Sequence, residues 1–368
     1  MTPHQRKIAA IVSRLLEWYP RNARDLPWRQ TTDPYGVFVS EIMLQQTQVK
    51  MVLGYWNRWM RSLPTLSALA KASPQRIHKL WEGLGYYTRV RNMQRAARMM
   101  VKEHAGKVPS KLDELLALPG IGRYTAGAIC SIAFDQPAPI LDANIIRVLA
   151  RLYGIGSDPR QAKAKTELWR ISQELVQRAS SMNGRSGVCS QFNQSLMELG
   201  ALLCTRKAPR CDLCPLARVC FAHQEDRVAD LPALAKRPKP TARWFAAFVV
   251  EDKGRFLVRQ RPAKGINGSL WEFPNVEIHR KANMKKAARV VLGASARSIE
   301  RFCTIRHSIT RYRITLDVFK VQTNLAGKPS RSGARWLTQA QARRLPFTGA
   351  HKKILWMRGS ERLPTTVH

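Results

Sequence analysis

The spacing of the hydrophobic residues changes once along the chain, and this change constrains the fold more than any other feature. From residue 5 to about 222, apolar residues recur every three to four positions, as at Ile8, Ile11 and Leu15. Such spacing predicts a series of amphipathic helices. After residue 243 the spacing becomes that of strands, in RWFAAFVVEDKGRFLVRQR and RITLDVFKVQ, with one helix near 283–292. We therefore expect a mainly α domain followed by a smaller α+β domain.

The boundary between these domains is predicted from composition. Residues 223–242 are polar, basic and proline-containing, as expected of an exposed connector. A chain of 368 residues is also too long for one ordinary core. The predicted domains are therefore 1–222 and 243–368, joined by 223–242.

The charge of the chain indicates a polyanionic partner. Lysine and arginine number 62 against 25 acidic residues, a formal charge of +37. This excess favours nucleic acid over the alternatives of a merely soluble surface or an anionic membrane surface. The sequence has no apolar run of about 18 residues, and its charged first segment is unlike a signal peptide. We expect no membrane association and a cytoplasmic location, at the nucleoid if the source is bacterial.

Four of the seven cysteines lie in one short loop, with the spacing Cys204-x6-Cys211-x2-Cys214-x5-Cys220. A loop this tight can fold around one metal centre, and thiolates suit both zinc and iron–sulfur clusters. The residues alone leave zinc, a cluster and unliganded thiols open. Basic side chains in the loop suggest that it contacts phosphate and that the metal has a structural task.

A second motif is LPGIGRYT, in which Gly120 and Gly122 form a turn before a helix that begins near Arg123. Exposed N–H groups at a helix N-terminus bind phosphate without contacting bases, as in a helix-hairpin-helix element. An ordinary turn between helices is the alternative reading.

Two carboxylates have the surroundings that acid–base chemistry requires. Asp142 follows two apolar residues and precedes a helical run, so it is a candidate N-cap, which keeps a carboxylate ionised. Glu41 shares a helical face with Val37 and Leu44, and burial there raises a carboxyl pKa. Capping alone, or a surface-facing glutamate, would also explain these residues. A protonated and an ionised carboxyl are the pair that N-glycosidic cleavage needs.

Together, SEIMLQQTQV, LPGIGRYTAGAI, LDANIIRVLAR and the cysteine loop resemble the helix-hairpin-helix glycosylase superfamily in order and separation. This resemblance implies a helical catalytic domain of two lobes. The endonuclease III branch carries a Schiff-base lysine where this chain has Tyr124. That tyrosine, with DLPWR at 25–29 and GLGYYTRVRN at 83–92, is similar to the MutY family of adenine DNA glycosylases.

The resemblance implies roles for residues of the catalytic domain. Glu41 would protonate adenine, Asp142 would stabilise the oxocarbenium-like sugar, and Tyr124 and Asn144 would support the same site. The cysteines would hold a [4Fe-4S] cluster.

Two further residues, Gln46 and Tyr86, match those that the family inserts into the duplex while the adenine is flipped out. The residues alone leave Tyr86 equally well explained as a packed aromatic side chain.

The second domain, through INGSLWEFPNVEI, resembles the Nudix-like domain of the same family. Residues 281–293 lack the carboxylates that a Nudix hydrolase uses to bind Mg²⁺, so we expect no hydrolysis there. The implied task is recognition of 8-oxoguanine. In the recognition loop His307 and the hydroxyl of Thr310 are retained, whereas Ile309 and Arg311 depart from the family pattern.

The resulting hypothesis is a monomeric, monofunctional enzyme that removes adenine from A:8-oxoguanine or A:G pairs in duplex DNA. One alternative is a glycosylase for oxidised pyrimidines, which the tyrosine at position 124 and the added domain disfavour. Another is a non-catalytic damage-binding or redox protein, which both carboxylates disfavour.

Overall fold

The computed structural model describes residues 1–182, 186–235, 239–263, 265–279, 282–325, 333–357 and the backbone of 366–367. Residues 236–238 of the predicted connector and residues 280–281 lie outside this set. The chain forms two compact units: Met1–Lys71 with Arg91–Lys236, and Ala72–Val90 with Arg237–His368. The second unit thus includes a segment from within the predicted catalytic domain. The predicted domain bounds stay a prediction.

The first two-thirds of the described chain is helical, as predicted. The helices are α1 (Pro3–Asn22), α2 (Pro34–Leu44), α3 (Val49–Ser62), α4 (Leu66–Lys71), α5 (Pro74–Leu80), α6 (Thr88–Glu103), α7 (Leu112–Leu116), α8 (Arg123–Phe134), α9 (Ala143–Tyr153), α10 (Ala162–Ser180), α11 (Val188–Leu202) and α12 (Phe221–Gln224). Short 3-10 turns occupy Pro27–Arg29 and Ala217–Val219. None of the described helices is long and apolar enough to span a bilayer.

Local signals explain how several of these helices begin and end. At the start of α1, Thr2 accepts a hydrogen bond from the Gln5 N–H while the Gln5 side chain bonds back to the Thr2 N–H. This capping box stabilises the first turn. The predicted helix 36–46 instead ends at Leu44, because Gln45 leaves the helical conformation with ψ 110°, and Gln46 then takes a left-handed conformation with φ +56°.

The C-terminal part of the second unit is a mixed sheet with helices. Its strands are β1 (Thr241–Asp252), β2 (Arg255–Gln260), β3 (Trp271–Glu272), β4 (Asn275–Ile278), β5 (Ala296–Ile309), β6 (Tyr312–Thr323), β7 (Ala334–Thr338) and β8 (Thr366–Val367). Its helices are α13 (Met284–Leu292), α14 (Gln339–Arg343) and α15 (Gly349–Met357). The strand order is β3-β2-β1-β6-β5-β8, with β4 beside β1 and β7 beside β2.

Strand β1 explains why this sheet is buried on both faces. It pairs antiparallel with β2 across the predicted DKG turn and parallel with β6. Its alternate residues enter two cores: Ala247 and Val249 lie on one face, and Ala246 and Phe248 on the other, beside α13. A nearly continuous apolar run is expected where both faces of a sheet are covered.

Candidate active site

Glu41 lies on α2 and lines a cavity of about 190 Å³ in the first unit. Its side chain is 4% exposed, and its Oε2 is buried without a hydrogen-bond partner in the described part of the chain. Burial raises the pKa of Glu41 to about 7, against an interaction with the Tyr124 hydroxyl that favours ionisation. The predicted desolvation of this carboxyl is therefore present, and it carries a proton near neutrality.

The other predicted catalytic residues line the same cavity. Tyr124, in the first turn of α8, faces Glu41, and burial raises the pKa of its phenol. Asp142 is the N-cap of α9, as predicted, and its Oδ1 accepts a 2.8 Å hydrogen bond from the Ile145 N–H. Helix α8 approaches the chain before Asp142 closely, because a Cβ on Gly127 would lie 2.2 Å from the Pro139 carbonyl oxygen.

The environment of Asp142 differs from expectation in one respect. The N-cap was expected to hold this carboxylate ionised, yet burial raises the pKa of Asp142 above its ordinary value. Hydrogen bonds from Ile145 and Asn144 and the charge of Arg147 oppose this rise. Burial therefore moves both carboxyl pKa values upward, and for Glu41 the pKa rises to about 7.

Asn144 connects Asp142 to the half-buried Arg147. Its Nδ2 donates to Asp142 Oδ2 at 3.1 Å, and its Oδ1 accepts from Arg147 at 2.9 Å. Arg147 also donates to the carbonyls of Gly200 and Cys204, at 2.7 and 2.6 Å. The side chain that orients Asp142 is thus fixed from two directions.

An ion network that sequence reasoning missed forms another wall of the cavity. Glu198, on α11 and fully buried, accepts hydrogen bonds from Arg24 and Arg29, both of which line the cavity. Although burial opposes ionisation, these bonds lower the pKa of Glu198 to about 2. In the sequence, the only hint of this network is that a charged residue, Glu198, lies between two leucines that are buried, Leu196 and Leu199.

The predicted hairpin joins α7 to α8 through the turn at Gly120 and Gly122. Gly120 has φ +81°, and a Cβ there would lie 2.8 Å from the Asn92 Cβ. Gly122 caps α8 with open space around it and no side-chain bond to the helix. Arg123 lies with its guanidinium 4.0 Å from the centre of the Trp169 ring. The first-turn N–H groups of α8 are thus presented as the phosphate-binding hypothesis requires.

The two residues predicted to enter the duplex share an unusual backbone conformation, each within its own unit. Gln46 is exposed in the turn between α2 and α3 with φ +56°, and Tyr86 is 46% exposed with φ +47°. Left-handed conformations are costly for such side chains and concentrate at functional sites.

The four cysteines of the loop line one small cavity together with Arg151. Arg151 donates to Cys204 Sγ at 3.3 Å, and its carbonyl accepts from Cys220 Sγ at 3.6 Å. No three His, Cys, Asp or Glu side chains among the described residues are close enough to hold a single metal ion. The thiols therefore surround a space and do not converge on one point.

The predicted recognition loop, residues 307–311, is only partly a loop, since 307–309 belong to β5 and Thr310 and Arg311 form the turn of the β5–β6 hairpin. Thr310 occupies its exposed tip with φ +51°. Arg311 donates to the Tyr312 hydroxyl at 3.1 Å and lies over that ring. His307 lies within β5 and is half-buried, and its Nδ1 is buried without a partner among the described residues. Burial lowers the pKa of His307, which favours the neutral ring.

Comparison with known proteins supports this reading of the two domains. The family described as "HhH-GPD superfamily base excision DNA repair protein" matches residues 39–174, and the NUDIX domain family matches residues 246–357. A thermostable thymine-DNA glycosylase of known structure is 28% identical, with a TM-score of 0.54 over 61% of this chain and 100% of its own.

Curated relatives match nearly the whole chain. The adenine DNA glycosylase of Rattus norvegicus is 36% identical, over 94% of this chain and 77% of its own length. The adenine DNA glycosylase of Buchnera aphidicola subsp. Schizaphis graminum is 33% identical, over 85% of this chain and 87% of its own length. Because the likeness spans the helical and Nudix domains at this identity, the chain belongs to the MutY family of adenine DNA glycosylases, DNA-binding enzymes of base excision repair.

Proposed function

We propose that this glycosylase removes adenine paired with 8-oxoguanine or guanine, and that it only hydrolyses the N-glycosidic bond. The observation that carries the chemistry is the buried, unpartnered Oε2 of Glu41 in the cavity that Asp142 also lines. An unsatisfied buried carboxyl oxygen is costly unless a substrate supplies its partner. Adenine, with ring nitrogens that accept protons, supplies such a partner.

Glu41 acts as the general acid. With a pKa of about 7, its carboxyl is protonated in a large fraction of the molecules at neutral pH and gives this proton to the departing base. A surface glutamate would be ionised and could not do so. The low polarity that raises this pKa also strengthens the interaction between the carboxyl and the base.

Asp142 acts on the sugar. As adenine leaves, positive charge develops on the sugar ring, and a fixed carboxylate stabilises it electrostatically or by a transient bond. The Ile145 N–H and the Asn144 side chain hold the two oxygens of Asp142, so little reorganisation is needed when the charge forms. Tyr124 contributes a hydroxyl beside Glu41 and closes the same wall.

Water attacks the sugar after adenine has left, and the enzyme does not cleave the DNA strand. It is therefore monofunctional. Strand cleavage by a glycosylase requires an amine that forms a Schiff base with the sugar. Among the described residues that line the cavity there is no lysine. Tyr124 occupies the position at which the endonuclease III branch carries its Schiff-base lysine. The expected product is an intact strand with an abasic site.

A [4Fe-4S] cluster fits the cysteine loop. Four thiols around a shared cavity match a cluster of four irons better than one tetrahedral zinc, which draws its sulfurs to a single point about 2.3 Å away. When bound, the cluster supplies a rigid cross-link of the loop. Arg147 and Arg151 bind carbonyls of this loop at Cys204 and Thr205, which ties α9 to it.

Recognition of the opposite base is assigned to the β5–β6 hairpin and to the two inserting residues. Thr310 presents a hydroxyl at the exposed tip, whereas Arg311, beside Tyr312, supplies a cation suited to phosphate. Gln46 and Tyr86 enter the stack while the adenine is flipped out. The enzyme works as a monomer.

The test is single-turnover release of adenine from duplexes with one A:8-oxoguanine, A:G or A:T pair, each assayed with and without alkali. The proposal predicts fast release at A:8-oxoguanine, slower release at A:G and none at A:T, with nicks only after alkali. Equal rates at the first two duplexes would refute 8-oxoguanine recognition. Nicks without alkali would refute the monofunctional assignment, and release from none of the duplexes would refute the activity.

A further inference from the structure

Glu82 is a buried acid in the segment that belongs to the second unit, and three donors from two directions hold it. Its Oε2 accepts from Lys79 Nζ at 2.8 Å and from Lys352 Nζ at 2.7 Å, and its Oε1 accepts from the Phe347 N–H at 3.0 Å. Although burial opposes ionisation, hydrogen bonds from Lys352 and Lys79 lower the pKa of Glu82. The carboxylate is therefore a charged junction between residues 79–82 and residues 347–352.

Hydrogen bonds connect this junction to the sheet of the second unit. Phe347 forms a β-bridge with Trp271, the first residue of β3, and the Trp271 N–H donates to the Pro346 carbonyl at 2.9 Å. Lys79 adds a second tie, since its Nζ also donates to the Arg343 carbonyl at 2.7 Å. Residues 79–82 are thus fixed to the Nudix sheet through hydrogen bonds.

On the other side of Glu82 lies the loop that presents Tyr86. The Trp81 indole N–H donates to the Gly85 carbonyl at 3.0 Å, and Arg89 donates to the carbonyls of Leu84 and Gly85 at 3.1 and 3.2 Å. The Arg89 guanidinium also lies 5.3 Å from the Trp81 ring centre and 5.5 Å from that of Tyr86. These contacts brace the loop against Trp81, the residue next to Glu82.

The geometry points to Glu82 as a positioning residue that fixes the Tyr86 loop to the Nudix sheet, so that the recognition domain sets where Tyr86 stands. This inference rests on the insertion of Tyr86 proposed above. Rigid placement matters because Tyr86 must enter the base stack, and a displacement of about one ångström in such a side chain lowers the rate of the reaction. Glu82 does not line the cavity of Glu41, and its proposed action is through the loop.

Glu82→Gln removes the charge of the junction and Lys352→Met removes one of its three donors, so each weakens the junction, and Tyr86→Ala removes the side chain that the junction positions. The matched control is Asp317→Asn, which breaks an ion pair with Arg301 in the same unit. For each variant we would measure the single-turnover rate at A:8-oxoguanine and the melting temperature. Affinity would be measured with a duplex whose target adenosine carries a 2′-fluorine and is not cleaved.

We expect Glu82→Gln and Lys352→Met each to lower the rate about tenfold, the size of one lost hydrogen bond to a charged group. Tyr86→Ala lowers it at least as much, and Asp317→Asn leaves it near wild type. The decisive result is that Glu82→Gln with Tyr86→Ala is no slower than Tyr86→Ala alone, because coupled residues are not additive. If Glu82 were important only for folding, Glu82→Gln would lower the melting temperature, and its effect on the rate would multiply with that of Tyr86→Ala.

The outcomes separate this inference from the function on which it rests. If Tyr86→Ala slows release while Glu82→Gln and Lys352→Met do not, or if the effects multiply, the positioning role is refuted and the proposed function stands. If Tyr86→Ala releases adenine at the wild-type rate, the insertion of Tyr86 is refuted and this inference with it. Should Glu82→Gln fail to fold, Lys352→Met combined with Tyr86→Ala decides the question.

Discussion

The Nδ2 of Asn144 donates a 3.1 Å hydrogen bond to Oδ2 of Asp142, two residues earlier at the start of α9. Because Arg147 holds the amide oxygen of Asn144 at 2.9 Å, the amide cannot turn away from the carboxylate. The capping bond from Ile145 fixes the other oxygen of Asp142. The carboxylate proposed to face the sugar is thereby oriented before substrate arrives.

Asn144→Ala tests this orientation. We expect single-turnover adenine release to fall about ten- to a hundredfold, because a hydrogen bond to a charged group is worth about 1.5–3 kcal/mol. Affinity for uncleaved duplex should change little. Asn57→Ala, at an exposed position on α3, is the control. A wild-type rate for Asn144→Ala would show that Asp142 needs no such support.

The pH dependence of adenine release follows from the two carboxyl groups. Because burial raises the pKa of Glu41 to about 7, the proton that it donates is present below pH 7 and lost above it. The rate should therefore fall about tenfold per pH unit above neutrality. It should also fall in acid, where Asp142 becomes protonated. A rate that is flat from pH 6 to pH 9 would contradict general-acid catalysis by Glu41.

Several features of this site could be predicted from the sequence because their causes are local. The capping role of Asp142 depends on the apolar residues before it and the helix after it. The burial of Glu41 follows from Val37 and Leu44 on the same helical face. The hairpin at Gly120 and the β1–β2 turn follow from glycine in positions that need a left-handed backbone.

The rest depends on contacts between residues far apart in the chain. Glu198 meets Arg29 across 169 positions, and Glu82 meets Lys352 across 270, so neither pair leaves a periodic signal. The end of α2 was missed because no glycine or proline marks the turn at Gln46. The rise in the pKa of Asp142 reflects burial at the start of α9, a helix that packs against the distant α11, and no pattern around residue 142 reports this burial.

Glu198→Gln tests the buried network behind the cavity. Removing one partner of a buried ion network costs about 3 kcal/mol, which corresponds to a melting temperature lower by roughly 5–10 °C. Adenine release should also slow, because Arg29 lines the cavity. Glu17→Gln on the exposed face of α1 is the control. Unchanged stability together with an unchanged rate would show that the network does not support the site.

The stability effect of Glu198 has a defined pH dependence. Because hydrogen bonds from the two arginines lower the pKa of Glu198 to about 2, its stabilisation is fully present above the unfolded-state pKa of a glutamate. It is lost as the pH falls through about 2. The difference in melting temperature between wild type and Glu198→Gln should therefore shrink on acidification, and a constant difference would contradict the lowered pKa.

Iron content tests the assignment of the cysteine loop. Protein produced with iron should be brown and contain iron and acid-labile sulfide in equal amounts. Cys211→Ala should lose both, whereas Cys303→Ala, in the sheet of the second unit, should keep them. A colourless wild-type protein with one bound zinc would replace the cluster by a zinc site.

The most direct test of the account is Glu41→Gln, measured for single-turnover adenine release, binding of uncleaved duplex and melting temperature, with Glu17→Gln as control. Glutamine keeps the shape but has no proton to donate, so we expect release to fall at least a hundredfold while binding persists. A carboxyl with a raised folded-state pKa destabilises the protein as the pH rises from the unfolded value of 4.5 through about 7. At pH 8 the variant should therefore have a higher melting temperature than wild type, with a free energy of unfolding larger by about 3 kcal/mol at most. At pH 4 the two proteins should have the same melting temperature. Adenine release at the wild-type rate, or a lower melting temperature at pH 8, would contradict a buried acid at the centre of this site.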